Sequence, residues 1–299
     1  MLNVECDSVV GPSLYKMAKE NDVIYTGAKG DEPAAIIELM EFAEGLGFEI
    51  VSCGKGKNNP KNIHATNESV SDAAKLKNLC EKSLTSFVDT TNTMIELNAV
   101  GNATGFIPDV LGCHSIKSDI NSICDTFKEM YDNKKLKKTK VLEYVLGIAP
   151  GVFVIIKDDT KETKETLKYL GMGNGPYHVL YRPFHLCSLE TPISIYNAVV
   201  EKKETIAPYC GQICDTVAFA KRNLKKGEIL QGIGSNDTYG NLTTHADATT
   251  KNLLPIALIT DKTRLKKDIK KDEPITYDMV ELDETKIITK LRFLQDKDV

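Results

Sequence analysis

Asp31-Glu32-Pro33-Ala34-Ala35-Ile36-Ile37-Glu38-Leu39-Met40, followed by Phe48-Glu49-Ile50-Val51-Ser52-Cys53, is a capped helix leading into an apolar strand. Asp31 can accept a hydrogen bond from a first-turn N–H, and Pro33 gives up no donor needed in that turn. Working back, Leu2 to Cys6 alternates like a short strand, and Gly11-Pro12 opens a helix through Tyr15, Met17 and Ala18. Val23-Ile24-Tyr25-Thr26 reads as a second strand. Strand, helix, strand, helix, strand over residues 1–56 predicts a parallel sheet of the α/β class. No strand with a G-x-G-x-x-G turn precedes Met1, so the expectation is the C-terminal half of a Rossmann-like sheet without its pyrophosphate cradle.

Further on, the apolar spacing of Phe87, Thr91, Met94, Ile95, Leu97 and Asn98 predicts one long helix over 83–102, and 118–131 a second. Residues 151–157 and 177–181 read as strands and 161–169 as a helix, an α+β block for substrate binding and oligomerisation. Pro208 and Gly211 punctuate the chain where short strands and turns take over, which divides it into domains 1–208 and 209–299. The second domain contains an internal repeat: Asn223-Leu224-Lys225-Lys226-Gly227-Glu228-Ile229-Leu230 aligns with Asp268-Ile269-Lys270-Lys271-Asp272-Glu273-Pro274-Ile275 at an offset of 45 residues. Each copy reads as a strand end, a tight turn and a second short strand.

A formal charge of -4 gives no general pull toward nucleic acid or an anionic membrane. The longest apolar runs, such as Val152 to Ile156, are too short to span a bilayer, and no signal pattern follows Met1, so a cytoplasmic protein is expected. The eight cysteines show no C-x-x-C spacing and no sequence cluster with histidine, and they read as reduced packing residues with no metal site. An unpaired edge of the expected sheet would favour a homo-oligomer.

Three clusters could carry chemistry. Gly54-Lys55-Gly56-Lys57-Asn58-Asn59-Pro60 is placed just past the carboxyl end of a strand, where parallel sheets bind ligands. Its two ammonium groups suit a phosphate or carboxylate. Asp89, Asn92, Glu96, Asn98 and Asn102 recur within an apolar helix and need partners. Arg182, His185 and Glu190 stand together after a strand; arginine can clamp an anion and histidine exchange a proton near neutral pH. Gly171 to Pro176 imitates a phosphate loop, but it follows a helix and precedes a strand, which marks a plain turn. Asn236 to Asn241 likewise reads as a hairpin turn.

Asn3-Val4-Glu5, Gly30-Asp31-Glu32-Pro33, the Gly54 to Pro60 run, Ser86-Phe87-Val88-Asp89, Asn102-Ala103-Thr104-Gly105 and Tyr181-Arg182-Pro183-Phe184-His185-Leu186 together resemble homoserine-dehydrogenase-like oxidoreductases with a C-terminal SAF domain. That group includes the 1-deoxy-D-xylulose-5-phosphate-reductoisomerase-like enzymes. The 223–230 and 268–275 repeat likewise resembles the SAF module, a small all-β β-clip. The resemblance implies reaction of a small phosphorylated or carboxylated carbonyl compound with NAD or NADP. It puts the Lys55 to Asn59 loop and Asp89 against the substrate, with either Lys55 or Lys57 as proton donor and Asp31 and Glu32 either orienting that lysine or only capping their helix. With His185 these lysines and Asp89 make the candidate catalytic set, and Asp31, Glu32, Asn58, Asn59, Asn102, Arg182 and Glu190 the candidate substrate-binding set. Asn3 and Glu5 would face the cofactor, and a separate nucleotide-binding half would be a partner. The competing expectation is a non-enzymatic ligand- or carbohydrate-binding protein with a SAF module.

Overall fold

The computed structural model describes residues 7–59, 61–158 and 160–297. These fold into two compact units that interleave along the chain. One comprises Thr26–Asn58 and Thr104–Ile206; the other gathers residues 7–25, 59–103 and 207–297. The division thus departs from the expected 1–208 and 209–299, because 7–25 and 59–103 pack with the C-terminal segment.

The first unit is built on a five-stranded sheet: β1 Glu49–Lys57, β2 Ile116–Lys117, β3 Val141–Leu146, β4 Val152–Lys157 and β5 Tyr177–Arg182, in the order β2-β3-β1-β4-β5. The sheet is mixed, which corrects the parallel Rossmann-like expectation. β1 runs parallel to β3 and antiparallel to β4, and β4 is antiparallel to β5. The cause is the short link at 147–151. A parallel return needs a crossover of about a dozen residues or more, whereas this link passes over the end of β1, where Gly56 N donates to Gly151 O at 2.7 Å. An added Cβ on Gly56 would stand 2.5 Å from Ala149 N, and one on Gly54 would overlap the Glu143 carbonyl. Both glycines therefore serve strand and link packing, not close approach to a ligand.

The helix Glu32–Gly45 forms as expected, with Asp31 at its N-cap, although the Asp31 side chain makes no capping hydrogen bond. It buries Ala34, Ala35, Ile36, Ile37 and Met40 and packs on β1 and β4. On the other sheet face, Phe127 from the helix Ile123–Asp132 packs with Phe153, Val141 and Val145. Val23 to Thr26 is not a strand; only Thr26 makes an isolated bridge. The expected strand at Leu2 to Cys6 lies outside the described residues.

One buried acid in this sheet predicts a pH dependence. Glu143 of β3 is fully buried, and burial pushes its carboxyl up to about 8, against the backbone N–H groups of His114, Tyr144 and Ser115, which pull it down. The folded state then holds a proton that the unfolded chain releases above the ordinary glutamate value of 4.5. Stability is therefore expected to fall between about pH 5 and 8, by up to about 1.4 kcal/mol per pH unit from this group. Urea unfolding of Glu143→Gln across that range should show a flatter profile than wild type; parallel profiles would refute this source.

In the second unit the expected 83–102 helix is two, Glu81–Val88 and Thr91–Thr104, broken at Thr90, whose φ is 77°. β6 Cys214–Ala220 pairs antiparallel with β7 Thr238–Thr244, and β8 Arg264–Leu265 with β9 Val280–Glu281. The internal repeat forms a reciprocal pair. Leu224 and Ile269 exchange N–H···O bonds of 2.9 and 3.0 Å, and Gly227 and Asp272 both occupy the left-handed region, at φ 89° and 65°. Glu228 accepts from Lys225 N and Glu273 from Lys270 N, so each bend is closed by the same acidic side chain. Asp268 receives Lys226 N as Asn223 receives Lys271 N. Leu224, Leu230, Ile269 and Ile275 are buried in one core with Leu254 and Leu258. Among the described residues no helix is long and apolar enough to cross a membrane.

Candidate active site

The chemistry-bearing side chains of the first unit meet at the start of the helix Glu32–Gly45. Lys55 lies on β1, the central strand, paired with Tyr144 and Val152. It is not in a loop, as expected from sequence; β1 continues through Lys57, and both lysines are buried. Side chains alternate along a strand, so the two share the face that carries this helix. Lys55 Nζ reaches Glu32 Oε1 at 2.6 Å. Burial raises the Glu32 carboxyl, but the neighbouring Lys55 ammonium and His185 outweigh it and hold the group below the usual glutamate range.

His185 arrives from the segment after β5. Its Nε2 lies 3.3 Å from Glu32 Oε1 and its Nδ1 3.1 Å from the Gly30 carbonyl. One tautomer donates to the carboxylate and the other to the carbonyl. Gly30, at φ 92°, permits this approach: an added Cβ would stand 2.6 Å from Leu186 O and 2.9 Å from Glu190 Cβ. Cys187 adds a thiol, with Sγ 3.0 Å from Asp31 Oδ1 and 3.3 Å from His185 Nδ1. The result is a continuous run of polar atoms from buried Lys55 through Glu32 and His185 to exposed Cys187.

Arg182 braces the segment. It donates to Glu38 and Glu190, and Lys29 also pairs with Glu38. Glu190 Oε1 further accepts from Leu186 N at 3.1 Å, which fixes the loop carrying His185. Arg182 and Glu190 therefore bind each other, and their charges are matched within the protein.

The sequence-predicted residues thus divide. Lys55, Glu32, Asp31, His185, Arg182 and Glu190 come together. Lys57 is on the same strand face, and Asn58 is exposed just beyond it. Asp89 and Asn102 belong to the second unit. Asp89 is fully buried 2.7 Å from Lys221 Nζ, which also donates to Ala65 O and Ser235 O. Burial raises the Asp89 carboxyl and the Lys221 ammonium pulls it back. Asn102 Oδ1 accepts from Ile213 N and Cys214 N, and Asn59 Oδ1 from Lys77 Nζ. Asn3 and Glu5 lie outside the described residues. Glu38, Lys29 and Cys187 were missed. The first two give no motif signal, and Cys187, only two positions from His185, was masked by the scatter of the other cysteines.

A buried lysine held by a carboxylate that also faces a histidine thus stands on the mixed sheet of this unit. Residues 30–191 match the family model described as the oxidoreductase DRL catalytic domain. The match covers more than half of the chain, which belongs to this oxidoreductase family. No curated protein matches the chain.

Proposed function

We propose that this protein reduces or oxidises a small phosphorylated or carboxylated carbonyl or hydroxyl compound, with NAD or NADP as the hydride carrier. The observation that carries the reading is the buried Lys55–Glu32–His185 chain inside an oxidoreductase catalytic domain. When a carbonyl is reduced, negative charge builds on its oxygen. A positioned cation in a site shielded from water stabilises that charge where it develops. Lys55 gives its proton to this oxygen, Glu32 holds the ammonium in place, and His185 returns a proton from the solvent side. Lys57, on the same strand face, holds the substrate's anionic group.

The dinucleotide fits the described residues less well. A pyrophosphate cradle needs a glycine turn between a strand and a helix with room for the ligand, whereas the space beside Gly54 and Gly56 is filled by Glu143 and Ala149. Cofactor binding by a further nucleotide-binding half remains part of the proposal. So do a homoserine-dehydrogenase-like ancestry and a SAF-type module, the latter supported by the reciprocal bends at Gly227 and Asp272.

The test is nicotinamide absorbance with protein purified from its native cells, so that any cofactor-binding partner accompanies it. Small phosphorylated and carboxylated carbonyl compounds are supplied as a panel with NADH and NADPH. Turnover is expected with at least one member, and oxidation of neither cofactor across the panel would sink the proposal.

A further inference from the structure

Glu32, His185 and Cys187 each offer one ligand atom, and these atoms all lie within 4.8 Å of one another. Asp31 Oδ1, 3.0 Å from Cys187 Sγ, stands beside this group and accepts from the thiol. We propose that Glu32, His185 and Cys187 form a binding site for a borderline-soft divalent transition metal of the zinc type.

The donor set is the first argument. Thiolate sulfur, imidazole nitrogen and carboxylate oxygen are the ligands zinc takes, whereas magnesium and calcium take oxygen. A thiol among the donors therefore selects against the hard cations. The spacing is the second. Tetrahedral zinc, with bonds of about 2.0–2.3 Å, holds its donors roughly 3.3–3.7 Å apart, and Cys187 Sγ already stands 3.3 Å from His185 Nδ1. The framework is the third. Asp31 and Glu32 are fixed by the start of a helix, and the facing segment is held by Arg182 and Glu190, so two pre-positioned elements meet at the site.

Binding forms a metal–sulfur bond and releases the Cys187 thiol proton to solvent; without the metal that thiol hydrogen-bonds Asp31 and the Gly30 carbonyl. The metal shares the Glu32 carboxylate with Lys55; the two oxygens of a carboxylate offer about four lone-pair directions. An occupied site would thus draw negative charge away from Lys55. The metal site itself stands whether or not the reductive reading of Lys55 holds.

The test is cobalt(II) titration of the full chain after thiol reduction, read by absorption. Wild type is expected to take up one cobalt per chain, with a near-ultraviolet thiolate-to-cobalt charge-transfer band and strong tetrahedral bands in the visible, all displaced by zinc. Cys187→Ser and His185→Ala should each lose these bands; circular dichroism confirms that they are folded. A variant carrying Cys6→Ser, Cys80→Ser and Cys210→Ser should keep them. Absence of the charge-transfer band in wild type, its survival in Cys187→Ser, or its loss in the triple variant would each overturn the proposal.

Discussion

Replacing Arg292 by methionine is expected to destabilise the protein by roughly 3–5 kcal/mol, the cost of leaving a buried charge without its partner. Asp215 is fully buried. Arg292 meets it with both terminal nitrogens, Nη1 to Oδ1 at 2.6 Å and Nη2 to Oδ2 at 3.0 Å. His245 Nδ1, at 2.6 Å, and Gln212 Nε2, at 3.0 Å, complete the shell. Burial alone would raise the Asp215 carboxyl, but Arg292 and His245 hold it below the ordinary aspartate range. Its contribution is therefore present above the unfolded-state value near pH 4 and lost as the pH falls through the folded value. The double variant Asp215→Asn with Arg292→Met removes both charges and should recover a large part of the loss. Urea unfolding at pH 7 measures both. A cost below about 1 kcal/mol for Arg292→Met would show that the pair is dispensable.

The largest kinetic effect is expected at Lys55. Methionine keeps the apolar stem and removes the ammonium, so Lys55→Met should lower kcat and kcat/KM together by about a hundredfold to a thousandfold, the usual loss when one donor to a developing oxyanion is removed. Lys57→Met should instead raise KM with kcat largely kept, as expected of a group that holds an anion equally in the ground and transition states. Lys134→Ala, in the exposed basic loop at 133–138, should change neither. Steady-state kinetics of the three variants checks the assignment, and wild-type kinetics for Lys55→Met would remove this lysine from the reaction.

Much of the framework was legible because local signals agreed. The Asp31-Glu32-Pro33 helix start, the apolar runs at 49–53 and 152–157, and the helix Lys161–Tyr169 all appear where caps and burial put them. The 45-residue repeat was legible because Gly227 and Asp272 are both types that accept positive φ. Strand direction was misread, although the signal existed: the five residues between Leu146 and Val152 are too few for a parallel crossover. The break at Asp89 and Thr90 was hidden because the apolar spacing continues across it. Asp89 shows a limit of motif reading, since a carboxylate in a recognisable motif is here taken up by Lys221. At the site, Lys55, Glu32 and His185 were all named from sequence. Glu32 orienting the lysine was one of two open readings, whereas the contact with His185 was not foreseen, because it depends on Gly30 letting two distant segments touch.

The central claim is that Lys55 and Glu32 act as one proton-carrying unit. A double-mutant cycle in kcat/KM with Lys55→Met, Glu32→Gln and the combination tests it most directly. The account predicts that the double variant is no slower than Lys55→Met alone, because Glu32 acts only through the lysine it holds. Losses that multiply would mean two independent contributions and would contradict the account.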